Sequence, residues 1–81
     1  MLNIQIIGIG CHACRLLEAD VREIVVQMKL DAQIERVDDL EKILQFELLV
    51  LPGLVINGRV VSCGYSGKGR VERLIEEALD S

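Results

Sequence analysis

Along the first residues, Leu2, Ile4 and Ile6 alternate with Asn3 and Gln5, and Ile7 then makes the stretch more apolar. A period of two predicts a strand, with its far end buried on both faces. Gly8 and Gly10 interrupt it. From Arg15 to Lys29 the period changes: Leu16, Leu17, Val21, Ile24, Val25 and Met28 recur at spacings of three and four. Arg15, Glu18, Arg22, Glu23 and Lys29 take the other face, which predicts an amphipathic helix of about four to five turns. After Asp31, Ala32, Ile34 and, less regularly, Arg36 alternate with Gln33, Glu35 and Val37 as a second, shorter strand. Asp38 or Asp39 is placed to cap a short helix carrying Leu40, Ile43 and Leu44. Phe46 to Leu51 reads as the end of that helix and an approach loop, with core packing expected of its apolar side chains. Pro52-Gly53 then leads into a buried strand, Leu54-Val55-Ile56. Asn57-Gly58 is a signal for a tight two-residue hairpin turn, and Arg59 to Cys63 forms the returning strand. A loop with three glycines, Gly64 to Gly69, precedes a closing amphipathic helix marked by Val71, Leu74, Ile75, Ala78 and Leu79.

The element order is therefore βαβαββα. A right-handed βαβ unit makes the first two strands parallel, and the hairpin adds two antiparallel ones. The expectation is one α/β domain over residues 1–81: a four-stranded mixed sheet with helices on both faces. There is no internal repeat, linker or low-complexity segment.

Composition narrows the reading. Hydrophobic residues make up 51% of the chain and aromatic residues 2%, so the core must be aliphatic, with Phe46 and Tyr65 the only rings. A net charge of −4 argues against nucleic acid as a partner, since phosphate binding needs a basic face. No apolar run is long enough to span a bilayer. The longest, Leu48 to Ile56, is broken by Pro52 and Gly53. The first residues carry no basic segment and read as a strand rather than a signal peptide, so no membrane association and a cytoplasmic location are expected. Glu72, Glu76, Glu77 and Asp80 are expected on a solvated helix face. The three cysteines, Cys11, Cys14 and Cys63, are an odd number, which suggests one working pair and one extra thiol rather than a structural disulfide framework. Cys63, at the end of the fourth strand, is expected to be a buried small hydrophobe.

The segment Gly8-Ile9-Gly10-Cys11-His12-Ala13-Cys14 carries the chemistry. A helix N-terminus has about half a positive charge and unpaired N–H groups, and both stabilise a thiolate there. The second thiol, nearly one turn on, can close a short disulfide with the first. Taken alone, the segment fits three chemistries. Gly8, Gly10 and Ala13 match a dinucleotide fingerprint, but that fold needs two βαβαβ halves, and here the second half is a hairpin and a helix. The glycines are better read as letting the loop turn and a substrate backbone approach Cys11, which makes Gly10 a candidate substrate contact. Gly64 to Gly69, with Lys68, lacks the spacing of a phosphate loop. A Cys-x-x-Cys opening a helix also begins small heavy-metal domains and copper chaperones, and thiolates suit soft Cu(I) or Zn(II). Those domains run βαββαβ and end on a strand, and a zinc ribbon would need a second Cys-x-x-Cys. A soft-metal binder or metallochaperone remains the alternative to a redox role.

Three features coincide. Cys11 and Cys14 open the first helix after the first strand, Pro52 begins the third strand, and a hairpin and final helix follow. With these, the chain resembles the small thioredoxin- and glutaredoxin-like redox-active disulfide proteins, and Leu51-Pro52-Gly53-Leu54-Val55-Ile56-Asn57-Gly58 is similar to that family's second signature. The resemblance covers nearly the whole chain. It implies a thioredoxin-like fold and a thiol–disulfide oxidoreductase, an electron carrier of cell redox homeostasis. Cys11 would be the nucleophile and Cys14 the resolving thiol of a redox-active disulfide. Pro52 would be cis and pack beside the sulfurs, while the Leu51 backbone would bond an extended substrate segment. His12, when protonated, would stabilise the Cys11 thiolate; otherwise it is a solvated residue of the first turn. The implied partners are protein disulfides and a thioredoxin-reductase-like or other electron donor. No metal and no cofactor beyond the disulfide are expected, and the chain is expected to act as a monomer. It lacks the Trp before the first cysteine and the Gly-Pro between the cysteines of typical thioredoxins. It also lacks the Pro-Tyr of typical glutaredoxins. Their glutathione-holding segment is matched only by Cys63-Gly64-Tyr65-Ser66, so the resemblance carries no expectation of glutathione use.

Overall fold

The computed structural model describes residues 2–46, 48 and 50–80. Its elements are β1 (Leu2–Ile7), α1 (His12–Gln27), β2 (Ala32–Val37), α2 (Leu40–Gln45), β3 (Gly53–Ile56), β4 (Arg59–Cys63) and α3 (Lys68–Asp80). The strands form one mixed sheet in the order β2-β1-β3-β4. β1 runs parallel to β2, with Leu2 opposite Ala32 and Ile7 opposite Val37. It runs antiparallel to β3, with Ile4 opposite Ile56 and Ile7 opposite Gly53. The expected α/β fold is the one observed.

The alternation in β1 divides the core between the two faces of this sheet. Leu2, Ile4 and Ile6 meet Leu17, Val21 and Ile24 of α1 and Val71, Leu74 and Ile75 of α3. Ile7 points the other way and joins Val37, Val55 and Ile43 of α2 in a smaller cluster. β3 supplies Leu54 and Ile56 to one face and Val55 to the other, and Gly53 lies under the Leu48 side chain, so all four of its residues are buried. No polar or charged side chain is buried among the described residues. The hydrophobic effect, at roughly 25 cal/mol per Å² of apolar surface removed from water, therefore carries this fold without a buried ionic network.

Local signals explain the element ends. The Asp39 carboxylate accepts the Glu41 N–H at 3.0 Å and caps α2. Asn57 and Gly58, with φ of 53° and 81°, form the β3–β4 turn in the conformation that suits a two-residue hairpin. The Asn57 side chain also accepts the Asn3 N–H at 2.9 Å, tying that turn to the start of β1. α1 ends earlier than Lys29. Lys29 has left-handed φ of 53°, and the Leu30 N–H donates to the Val25 carbonyl at 3.0 Å, the backbone pattern that stops a helix.

Several expectations need correction. The cysteine pair opens α1 as expected, with Cys11 as its cap and His12 its first residue, but the apolar pattern from Arg15 onward is not wholly buried. Leu16 is 38% exposed, since the buried stripe of α1 runs through Cys14, Leu17, Val21 and Ile24. In α2 only Ile43 is buried; Leu40 and Leu44 are 65% and 67% exposed, because a helix of 6 residues offers one inward position. Phe46, Leu48 and Leu51 pack against the smaller core cluster as expected, whereas Val50 is exposed. Glu47 and Leu49 of that stretch lie outside the described residues. Gly69 belongs to α3, so the loop before that helix is shorter than the glycines suggest. Cys63 is exposed, not buried. It ends β4, the edge strand, after a bulge: Leu54 faces Ser62 and Val55 faces Val60, so Val61 is an extra residue that re-aims the strand end.

Candidate active site

β1 delivers the chain to the site still paired, since the Gly8 N–H continues the ladder by donating to the Val37 carbonyl at 3.0 Å. The backbone then turns through exposed Ile9 and through Gly10, at φ of 82°, and places Cys11 as the N-cap of α1. The Cys11 Sγ accepts the Cys14 N–H at 3.3 Å. The Arg15 N–H donates to the Cys11 carbonyl at 3.1 Å and closes the first turn. A cysteine sulfur thus does the work that Ser or Asp does at other helix starts, and it does so best as a thiolate.

The two thiols differ in environment. Both are free, Cys11 exposed and Cys14 buried. The Cys11 thiol is held below the ordinary thiol range, first by its hydrogen bond with the Cys14 side chain and then by the Cys14 N–H, with the Ala13 N–H adding to them. Burial pushes the Cys14 thiol up, and its hydrogen bond to Cys11 and the charge there push the same way. One exposed thiol is therefore poised to ionise above a second that holds its proton. His12 opens α1 and is exposed; none of the groups that lower the Cys11 thiol is His12.

The opposite wall comes from the β3 side. The Leu51–Pro52 bond is cis, and Pro52 is buried. Gly8, Cys14 and Pro52 converge: a Cβ on Gly8 would overlap the Cys14 sulfur and lie 3.7 Å from the Pro52 Cβ. The loop after β4 joins them, because the Gly64 N–H donates to the Pro52 carbonyl at 2.7 Å. A Cβ at Gly64 would stand 3.6 Å from Val50. In the two loops that lead to Cys11 and to Pro52, Ile9 and Val50 are exposed and Leu51 is half-buried.

Of the residues singled out in the sequence, Cys11, Cys14 and Pro52 form this site, with Gly10 in the approach loop and Leu51 in the wall. Cys63 lies opposite Gly53 in the sheet, next to the wall but on the exposed edge. Gly8 and Gly64 are the residues that sequence reasoning missed. Gly8 stood out as a glycine, but its pressing reason is the sulfur beside it, which only a folded chain brings there. Among the described residues, no group of three or more His, Cys, Asp or Glu side chains is placed to hold a metal ion.

The ionisation difference is directly measurable. With a small alkylating reagent, Cys11 should react along a rate–pH profile whose midpoint lies below the ordinary thiol range. The sign follows from the lowered Cys11 thiol: its thiolate is already present where an unperturbed thiol is still protonated. Each unit of separation gives about a tenfold difference in thiolate fraction at lower pH, so the lowered and exposed Cys11 should outpace the raised and buried Cys14 near neutrality.

Comparison with known proteins gives the same picture. Residues 2–76 match the family model described as a thioredoxin domain. The chain is 34% identical over 76 residues to a thioredoxin of Methanothermobacter thermautotrophicus, covering 93% of this chain and 99% of that protein. It is 32% identical over 81 residues to a thioredoxin of Methanocaldococcus jannaschii, covering 100% of this chain and 90% of that one. Among solved structures, chloroplastic thioredoxin z superposes with a TM-score of 0.76 at 13% identity, over 100% of this chain and 80% of that one. The malaria-parasite thioredoxin-2 superposes at 0.71 and 14%, over 95% of this chain and 82% of that one; at such identities these two matches speak for the fold alone. The matched family and the named relatives make this Cys-x-x-Cys at a helix N-terminus that of a thiol–disulfide oxidoreductase. The chain belongs to the thioredoxin domain family. Among the described residues no helix is long and apolar enough to cross a membrane.

Proposed function

We propose that the protein reduces or exchanges disulfides in other proteins, with Cys11 attacking and Cys14 resolving. The observation that carries this reading is the pairing of an exposed, helix-capping Cys11 with a buried Cys14 in a single helical turn. The Cys11 thiolate attacks one sulfur of a substrate disulfide, and the other sulfur leaves as a thiolate. Cys14, losing its proton, then attacks Cys11 and releases the first substrate sulfur. The substrate disulfide gains two electrons and becomes a dithiol, and the Cys11–Cys14 dithiol becomes a disulfide.

The causes of the two thiol shifts support this order. Two of the effects that hold the Cys14 proton are its hydrogen bond to Cys11 and the charge on Cys11. Both disappear once Cys11 is tied up in the mixed disulfide, so Cys14 ionises more readily when it is needed. Apart from Cys14 itself, no titratable side chain is buried among the described residues, so the Cys14 proton passes to the departing substrate thiolate or to solvent.

In this reading Leu51 offers its backbone to an extended substrate segment beside Pro52. Gly10 leaves room above Cys11, since a Cβ there would meet no atom within 4 Å. His12, when protonated, adds favourable charge near the thiolate. The Cys11–Cys14 dithiol itself holds the two electrons, with no other cofactor, and a thioredoxin-reductase-like donor restores it from the disulfide. The protein works as a monomer in the cytoplasm. The test is insulin-disulfide reduction with a chemical donor. The reading predicts catalytic turnover by the wild type; a protein that accelerates no disulfide reduction would contradict it.

A further inference from the structure

The loop between β4 and α3, residues 64–67, is tied to α1 by side chains that the dithiol chemistry does not use. The Tyr65 hydroxyl donates a hydrogen bond to the Asp20 carboxylate of α1. Lys68, the first residue of α3, holds Glu23 of α1 in an ion pair at 2.8 Å. Just before Tyr65, the Gly64 N–H holds the Pro52 carbonyl at 2.7 Å. Pro52 in turn stands with Gly8 against Cys14, which lies on α1 itself. These contacts close a circuit that leaves α1 at Asp20 and returns to it at Cys14, passing through Tyr65, Gly64 and Pro52.

We propose that the Tyr65–Asp20 hydrogen bond is a positioning pair that sets the gap between the dithiol and the Leu51–Pro52 wall, and so the fit of a protein substrate. The proposal rests on the reading that an extended substrate segment lies in that gap. Two observations separate it from ordinary packing. The Tyr65 ring already packs against the larger core cluster, so its hydroxyl adds nothing to burial. Among the described residues no cation pairs with the Asp20 carboxylate: Arg22 and Arg36 pair with Glu18, and Lys68 pairs with Glu23. The bond to Asp20 also raises the Tyr65 phenol above its ordinary range, so the hydroxyl remains the donor well into the alkaline range. Gly64 and Gly67, at φ of 83° and 99°, flank the tethered segment and give it the freedom to shift once the hydroxyl is gone.

Tyr65→Phe keeps the ring and removes the tether. The KM for insulin should rise about three- to tenfold with kcat within about twofold of wild type, the pattern of a binding surface moved while the reacting groups stay in place. The alkylation rate of Cys11 by a small reagent should be unchanged, and the Gly64 amide should exchange with solvent faster. Asp20→Asn, which keeps an acceptor oxygen, should reverse most of the KM rise seen in Asp20→Ala. The double variant Tyr65→Phe with Asp20→Ala should be no worse than either alone, as expected for two ends of one contact. Turnover in the wild type with an unchanged KM in Tyr65→Phe would overturn this proposal alone. So would a uniform fall in kcat, Cys11 reactivity and thermal stability, which would mark a merely structural bond. A wild type without turnover would overturn the redox reading, and this proposal with it.

Discussion

Cys14→Ser should stop the reaction halfway. The exposed Cys11 thiolate still attacks a substrate disulfide, but no second thiol in the same turn displaces the product, so a covalent adduct through Cys11 accumulates. Cys11→Ser should form no such adduct and should reduce insulin no faster than the chemical donor alone, a loss on the order of 10³-fold or more. The asymmetry is the informative part. Cys14 is buried and its thiol is pushed up, so it does not replace Cys11 as the attacking group. Cys63 is also exposed, and the adduct must therefore survive in a Cys14→Ser, Cys63→Ser background. Non-reducing electrophoresis with peptide mapping reads the outcome. Adducts that form equally through either cysteine would contradict the assigned roles.

Gly8→Ala should damage the site through one methyl group. The new Cβ would overlap the Cys14 sulfur, and the Pro52 Cβ stands 3.7 Å away on another side, so the intrusion has little free space to occupy. Overpacking of this kind costs about 1–3 kcal/mol, and each kcal/mol lowers the melting temperature by roughly 4–8 °C in a domain of this size. The larger effect should be on resolution. Displacing a reacting group by about 1 Å can cost on the order of 10²-fold in rate, so the mixed disulfide should persist longer and turnover should fall at least about tenfold. Alkylation of Cys11 should slow as well, since the largest of the effects that lower its thiol is the hydrogen bond with the Cys14 side chain, and only the capping bond from the Cys14 N–H is left in place. Stopped-flow turnover beside a thermal melt separates the two effects. Wild-type turnover in a Gly8→Ala protein would show that the Cys14 sulfur moves aside freely.

The parts of this fold that the sequence shows plainly are those governed by local rules. The alternation of Leu2, Ile4 and Ile6, the Asn57-Gly58 turn and the Asp39 cap each act within a few residues, and each is found as expected. The Cys-x-x-Cys is legible for the same reason, because a helix start and its cap are one local unit. Pro52 is legible only through a family resemblance, since what places it near Cys14 is the pairing of β1 with β3. Where the outcome depends on which edge of the sheet a strand occupies, the residues alone do not decide it. Cys63 has the character of a buried thiol but ends an edge strand after a bulge. Leu40 and Leu44 have the spacing of a core stripe but sit on a helix too short to bury more than Ile43. Gly8, Gly64, Asp20 and Tyr65 gain their meaning from tertiary neighbours far away in the chain, and no periodicity marks them.

The central claim is that Cys11 and Cys14 form a reversible two-electron couple, and a redox titration tests it most directly. The protein is equilibrated across a series of thiol–disulfide buffers, quenched with acid, labelled at free thiols and mapped by mass spectrometry. The account predicts one transition in which Cys11 and Cys14 are lost and recovered together as an intramolecular disulfide, with Cys63 remaining free throughout. Persistent free thiols at Cys11 and Cys14 across the whole series, or a disulfide that pairs either of them with Cys63 instead, would contradict it.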